Sequence, residues 1–256
     1  MGDKLAFLQP DSDERRLASR IEDMARVADN RKCVRFTAFL TEREQTIVRA
    51  SLAGRTDFRL FGGYAGAERC MLGVGSLDAP PPEEEFPLRA AAFRFRADSG
   101  ILHRDVLGTL MALSIRREAV GDILVGDSVA VAFVSEPLIL PIIQEVTRIG
   151  GVGVSTSTDL PEVLPDAHRV EESGGVVASM RFDCIVAMLT RESRADVQDL
   201  IRQGLVRHND REANRPSRTV EPGDVISIRG VGKFKIGALG TETKKGRLHV
   251  AFTKYK

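Results

Sequence analysis

Apolar residues at Leu17, Ile21, Met24, Ala25 and Ala28 recur at helical spacing behind Ser12 and Asp13, either of which can cap a helix start. Thr41 followed by Glu44 is a capping-box signature and predicts a second helix over 42–52. Arg59-Leu-Phe-Gly-Gly-Tyr64 then reads as a strand ending in a glycine turn, and 67–74 as another strand. The two glycines beside an aromatic are open to two explanations, a tight turn or a close approach of ligand to backbone. Residues 1–80 are expected to form a mostly helical module.

From Leu88 the rhythm changes. Leu88–Arg96 alternates into Phe93 and Phe95 like a strand, and 103–112 has helical spacing. Residues 122–125 and 127–134 suggest two strands joined through Gly126 and Asp127. A helix over 135–148 is predicted, capped by Ser135 with Pro137 in its first turn, then a last strand over 151–155. The order βαββαβ over 84–160 is the ferredoxin-like arrangement that RNA-recognition domains share with many others. Phe93 and Phe95, interleaved with Arg94 and Arg96, could stack bases on an open sheet or simply mark one buried and one wet face.

The C-terminal third reads as two short helices and returning strands. An apolar run through Ile185, Val186 and Leu189 predicts one helix; Ser193 caps a second with Val197, Leu200 and Ile201 buried, and Gly204 stops it. Arg194, Gln198 and Arg202 then share an outer face, with Arg194 near a helix N-terminus whose free N–H groups favour phosphate. Leu205–Asn209 is a strand, Glu221-Pro-Gly-Asp224 a turn, and 225–229 a strand. The fold class is α+β.

Two seams divide the chain. Residues 78–87 hold four prolines and three consecutive glutamates, and 159–175 holds Pro161, Pro165 and Gly174-Gly175, placing boundaries near 80 and 178. The expected domains are 1–80, 84–160 and 180–245. Three cysteines, far apart, fit neither a disulfide framework nor paired zinc ligands and read as reduced thiols. No stretch suits a membrane span or signal peptide, so a cytoplasmic protein is expected.

Charge changes the picture most. The formal net charge is +1, but residues 181–256 hold 16 Lys plus Arg against 9 Asp plus Glu, a balance of +7, while the rest holds 21 against 27. Such an excess suits a polyanion, although a solvated basic face would look the same.

Catalytic signals are weak. His103-Arg-Asp105 copies the opening of a kinase catalytic loop, but Leu110 stands where that loop needs Asn. The four histidines are scattered, Gly150-Gly-Val-Gly153 lacks a third glycine and a following helix, and no G-x-S-x-G elbow occurs. Neither an active site nor a cofactor or metal is expected.

The C-terminal motifs carry a resemblance. Arg181-Phe-Asp183, the Ser193-Arg194 pair, Ile201-Arg-Gln-Gly-Leu-Val-Arg-His-Asn209 and Pro222-Gly-Asp224 together resemble the αL RNA-binding domain named after small-subunit ribosomal protein S-four, departing at Asn209-Asp210 where that family usually has Asn-Gly. Upstream, Phe61-Gly-Gly-Tyr-Ala-Gly-Ala-Glu-Arg69, His103–Met111 and Arg117–Leu124 look like the YlmH family of bacterial RNA-binding proteins. That resemblance implies a helical start, an RNA-recognition-like middle and a C-terminal αL domain. It also implies binding to rRNA of the large ribosomal subunit and to tRNA on stalled complexes, supporting ribosome-associated quality control by C-terminal alanine tailing. The αL motif points to Arg181, Ser193 and Arg194 as RNA contacts, with Asp183 orienting Arg181 or capping the helix; Gln198, Arg202, Arg207, Arg229, Lys233 and Lys235 complete the candidate set. A monomer without membrane contact is expected. The competing readings are an RNA-modifying enzyme, for which 1–180 lacks a Gly-Arg-Leu-Asp setting or methyl-donor loop, and a division-linked adaptor.

Overall fold

The computed structural model describes residues 13–75, 79–166, 170–209, 211–213, 215–242 and 246–255, which fall into two compact units, Met1–Ala167 and His168–Lys256. Each is built around its own apolar core.

The first unit begins with α1 (Asp13–Arg31), whose buried stripe of Leu17, Ala18, Ile21, Ala25 and Ala28 follows the predicted spacing; Ser12 lies outside the described residues. Strand β1 (Arg35–Leu40) leads into α2 (Glu42–Ser51), where Thr41 and Glu44 close the capping box: the Thr41 N–H donates to Glu44 Oε2 at 2.8 Å and the Glu44 N–H to Thr41 Oγ1 at 3.3 Å. Strands β2 (Phe58–Phe61) and β3 (Cys70–Val74) complete an antiparallel sheet of order β1-β3-β2. The module is therefore a helix pair laid on a three-stranded sheet, and β1 is a strand absent from the sequence reading. One side of that sheet buries Leu40, Leu72 and Val74 with the helices; the other carries Phe39 and Met71.

The middle domain follows with β4 (Leu88–Arg94), α3 (His103–Ala112), β5 (Val120–Val125), β6 (Val129–Ser135) and α4 (Ile139–Glu145), then a hairpin of β7 (Arg148–Ile149) and β8 (Val152–Gly153), and β9 (Ser155–Ser157). Its sheet order, β5-β6-β4-β9, is that of the ferredoxin-like fold. The expected helix over 135–148 is shorter: a 3-10 turn at Glu136–Leu138 precedes α4, and Ser135 makes no side-chain cap. Pro141 contributes no N–H, so an uninterrupted α-helical ladder from residue 135 is excluded. The final strand is β9, beyond the predicted 151–155, because Gly150 (φ 53°) and Gly151 (φ 87°) turn the β7–β8 hairpin.

Both faces of this middle sheet are covered. Ala91 and Phe93 pack with Val106, Leu110 and Ile142 under the helices. Ala92, Leu124, Val131 and Phe133 pack with Phe39, Met71 and Phe86, so the N-terminal sheet closes the face that an RNA-recognition domain would leave open.

The second unit opens with β10 (Val170–Val177), which the sequence reading placed in a linker. Its eight residues pair antiparallel with β15 (Leu248–Tyr255) from Val170↔Tyr255 to Val177↔Leu248. Between them lie α5 (Phe182–Thr190), α6 (Arg194–Arg202), β11 (Val206–His208), β12 (Arg211–Glu212), β13 (Val225–Ile228) and β14 (Gly232–Glu242), in a sheet of order β10-β15-β14-β13-β11-β12. The unit thus extends past both ends of the expected 180–245 stretch. Gly175 lets β10 pass close to α5; a Cβ there would meet the Met188 side chain, which would have to shift. Ile226, Ile228, Phe234, Ile236 and Val250 face Phe182, Ile185, Val186, Val197 and Ile201.

Candidate nucleic-acid interface

The Phe61-Gly-Gly-Tyr64 motif and its surroundings bind this chain to itself. Gly62 and Gly63 are close-packed, a Cβ on Gly63 colliding with the Phe133 ring, and Tyr64 stacks on Phe133 at 5.0 Å and 22°. Asp122 gathers the segment: its carboxylate accepts from the Tyr64 hydroxyl at 2.8 Å, the Glu68 N–H at 2.7 Å and the Arg69 N–H at 3.1 Å. Burial, then the Asp122 carboxylate, pushes the Tyr64 hydroxyl well above the ordinary phenol range, so it stays a donor. Arg69 reaches the carbonyls of Val120, Phe39 and Arg117, and Arg117 that of Gly121. Burial, reinforced by like-charged Arg69, lowers Arg117 to about 10, still protonated at neutral pH. Asp105, which suggested a kinase loop, accepts the Leu102 N–H at 2.9 Å and closes the start of α3. Phe93 is fully buried and Phe95 packs partly against the helix-side core, which removes the base-stacking reading.

The C-terminal unit is different. Arg181 immediately precedes α5 and makes a two-pronged bond to Asp183, Nε to Oδ1 at 3.0 Å and Nη2 to Oδ2 at 2.9 Å. Asp183 also accepts the Cys184 N–H at 2.9 Å, and the Arg181 guanidinium holds its carboxyl below the usual carboxylate range. Arg181 remains 46% exposed, with Nη1 outside that pair. Ser193 caps α6 by accepting the Asp196 N–H at 3.3 Å, and its hydroxyl donates to Asp196 Oδ2 at 2.6 Å. The next residue, Arg194, places its Nη2 2.6 Å from Cys184 Sγ. Asp183 and Cys184 are neighbours, so the two guanidiniums converge on the start of α5.

The helix ends themselves offer an anion less than the sequence suggests. At α5 the Phe182 and Asp183 N–H groups donate to the carbonyls of Arg218 and Pro216, at 2.8 and 3.0 Å. At α6 the Asp196 N–H is capped and Asp196 already places a carboxylate in the first turn. What this face presents to a phosphate is arginine rather than free N–H.

Gln198 and Arg202 are exposed on α6 one and two turns beyond Arg194, and border an open groove of about 570 Å³ with Gly204, Glu212 and Pro216; Arg202 also pairs with Asp199. The sequence reading missed Arg215 and Arg218, both exposed on the loop zipped to the start of α5, and exposed Arg191 at the left-handed α5 C-cap (φ 62°). The Arg215-Pro-Ser-Arg218 turn inside the basic block was a signal for the first two.

The remaining candidates do not join this cluster. Arg207, Lys233 and Lys235 alternate with core residues Val206, His208, Phe234 and Ile236, which places them on the sheet face turned away from α5 and α6. Arg229 lies in the turn after β13, its N–H on the Leu205 carbonyl at 2.9 Å. The Asn209 and Asp224 motif residues are structural. Asp224 Oδ2 meets His208 Nε2 at 2.7 Å and accepts the Glu221 N–H at 2.9 Å, while Oδ1 accepts from Asn209 Nδ2 at 2.8 Å. Burial pulls that carboxyl upward, but these bonds outweigh it and hold it below the ordinary range. Asn209 takes the left-handed conformation itself (φ 50°); Asp210 lies outside the described residues.

Residues 180–226 match the S4 domain, and residues 81–160 match a family described as the putative RNA-binding domain in YlmH. The two matches define an RNA-binding protein of the S4-domain class. A curated relative, ribosome-associated protein quality control protein P2 of Bacillus subtilis (strain 168), is 32% identical over 249 residues, covering 95% of this chain and 96% of that protein. The chain belongs to the YlmH family. Among solved structures, the cell division protein ylmH from Streptococcus pneumoniae matches 60% of this chain and 95% of its own, with a TM-score of 0.51 at 15% identity, a likeness of fold. Among the described residues, no helix is long and apolar enough to cross a membrane.

Proposed function

We infer that this protein binds the large ribosomal subunit bearing a stalled peptidyl-tRNA and supports ribosome-associated quality control by occupancy, contacting rRNA and tRNA through the α5–α6 face. The observation that carries the reading is the convergence of Arg181 and Arg194 on Asp183 and Cys184, within a segment matching an S4 domain. Its support from relatedness is the quality-control protein, similar over nearly the whole chain. Arg181, Arg194, Gln198 and Arg202 contact RNA in this reading, joined by Arg215 and Arg218, while Ser193 positions Arg194.

It acts as a cytoplasmic monomer and by binding rather than chemistry. The acidic and histidine side chains nearest the motifs, Asp122, Asp183, His208 and Asp224, each hold backbone or side-chain partners in place. The alanine tail is then added by another factor while this protein steadies the tRNA. Co-sedimentation with large subunits carrying peptidyl-tRNA tests the reading. Arg194→Ala, folded as judged by its melting curve, should bind more weakly, with the salt slope smaller in magnitude by about 1 for one lost phosphate contact. Wild-type affinity and slope in that variant would refute the assignment.

A further inference from the structure

We propose that the outer face of the C-terminal sheet is a second RNA-binding surface, gripping a phosphodiester backbone on the side of the unit opposite the α5–α6 arginines. The proposal rests on the RNA-binding reading above and extends it to a surface that, Arg207 and Val225 apart, is built from residues beyond the segment that matches the S4 domain. Register places the residues. Arg207 on β11 lies opposite Ser227 on β13, Ser227 opposite Lys233 on β14, and the Lys233 ammonium sits 5.1 Å over the Tyr255 ring of β15, a polar row across four strands. The next row sets Lys235 between Val225 and Thr253.

With strands about 4.8 Å apart and a rise of about 3.4 Å per residue, Arg207 stands about 10 Å from Lys233, and Lys235 about 7 Å further along β14. Arg207 and Lys235 are exposed, and Lys233, Ser227, Thr253 and Tyr255 half-buried. The hydroxyls of Ser227 and Thr253 add donors between the cations. Exposed Gly174 and Ala251, paired across β10 and β15, leave the neighbouring surface flat enough for a polymer backbone to lie on.

Among the described residues, carboxylates stay at the margins. Glu172 sits opposite Thr253 on the edge strand β10, and Glu212, opposite Arg207 on β12, borders the α6 groove. An acidic protein partner would also answer the charge, but protein interfaces are anchored by a buried aromatic or aliphatic cluster. Among the described residues, the exposed large apolar side chains of this unit are Val176 on β10 and Val231 in a turn, which form no anchor cluster, so the occupant is RNA.

The test uses the full-length chain and a short fluorescein-labelled RNA duplex at low and rising salt. Wild type should bind two duplexes per chain. Lys233→Gln/Lys235→Gln, which keeps both stems, should bind one, with the lost phase carrying a salt slope of about 3 in magnitude for the three cations of the face; Arg194→Ala should retain the sheet-face equivalent. One duplex per wild-type chain, or two on the double variant with the wild-type slope, would overturn the proposal. Polyglutamate captured by wild type but not by the double variant, with no second duplex, would overturn it in favour of an acidic polypeptide. If the double variant loses a duplex while Arg194→Ala binds both with wild-type affinity and slope, the sheet face stands and the α5–α6 reading fails.

Discussion

The middle domain and the C-terminal unit each build an antiparallel sheet with helices on one face, and both interleave basic with apolar residues along their strands. In the middle domain, Phe39, Met71 and Phe86 close the second face, and Tyr64 lies on Phe133. In the C-terminal unit the second face carries Arg207, Lys233 and Lys235, and the helix side carries Arg181 and Arg194. A ferredoxin-like order therefore does not by itself leave a sheet face open; what covers the sheet decides. The family motifs divide in the same way: Gly-Gly-Tyr and Gly121-Asp122 serve the closure, whereas Arg181 and Ser193-Arg194 serve the exposed surface.

The largest effect should come from breaking the closure. Asp122→Ala leaves two backbone N–H groups and a phenol without their acceptor and removes the negative charge beside Arg117. A loss of about 3–5 kcal/mol is expected, appearing in calorimetry as a downshifted transition of the first unit. RNA binding by the C-terminal unit should persist at temperatures where that transition has not begun. A variant as stable as wild type would mean that the covering of the middle sheet is held elsewhere.

A smaller effect concerns the turn that holds the open sheet together. The Asp224 carboxyl has its folded pKa below the ordinary value of about 3.9, so the stability it contributes is present above that value and is lost as pH falls through the lower folded pKa. Asp183, held low by Arg181, acts in the same direction. Asp224→Asn should cost about 1.5–3 kcal/mol at neutral pH, the range for hydrogen bonds to a charged group, and should flatten the acid limb of the second unit's unfolding. Urea midpoints at pH 7 and pH 3 check both. An undiminished acid limb in the variant would place the acid sensitivity in other groups.

Legibility in the sequence followed how regular each element is. Helices α1 and α2, the ferredoxin-like order and the Ser193 cap were readable because caps and periodic stripes are local. Strand β1 was not: its register shifts between Phe36 and Phe39, which breaks the alternation that marks a strand. Strand β10 reads Glu-Glu-Ser-Gly-Gly in its middle, turn chemistry by composition, and becomes a strand only through pairing with β15, more than seventy residues later. A fragment cut at residue 178 would lose that edge strand, so one meant to fold alone should start near 168. Charge and motif pick out the basic side chains of the candidate interface, and alternation with Phe234 and Ile236 sets Lys233 and Lys235 on one face of their strand, but that Arg207 shares this face follows only from the pairing of β11, β13 and β14. Nor could they foresee that the helix-end N–H groups at α5 are occupied by the 216–218 carbonyls.

The smallest expected effect is also the sharpest check on the contrast between the units. Arg94 is an exposed arginine at the end of β4, one of the side chains that made the middle sheet look like an RNA platform. Its guanidinium instead ties the edge of the sheet, Nη1 donating to Ser157 Oγ at 2.9 Å and Nη2 to the Asp159 carbonyl at 2.8 Å. Exposed hydrogen bonds of this kind contribute about 0.5–1 kcal/mol. Arg94→Ala should therefore lower the first unit's melting transition slightly and change affinity for large subunits by less than about twofold, against the loss of one phosphate contact expected for Arg194→Ala. Equal losses in the two variants, at matched salt and with both proteins folded, would show that the middle domain also meets RNA, from its edge rather than from its covered sheet face.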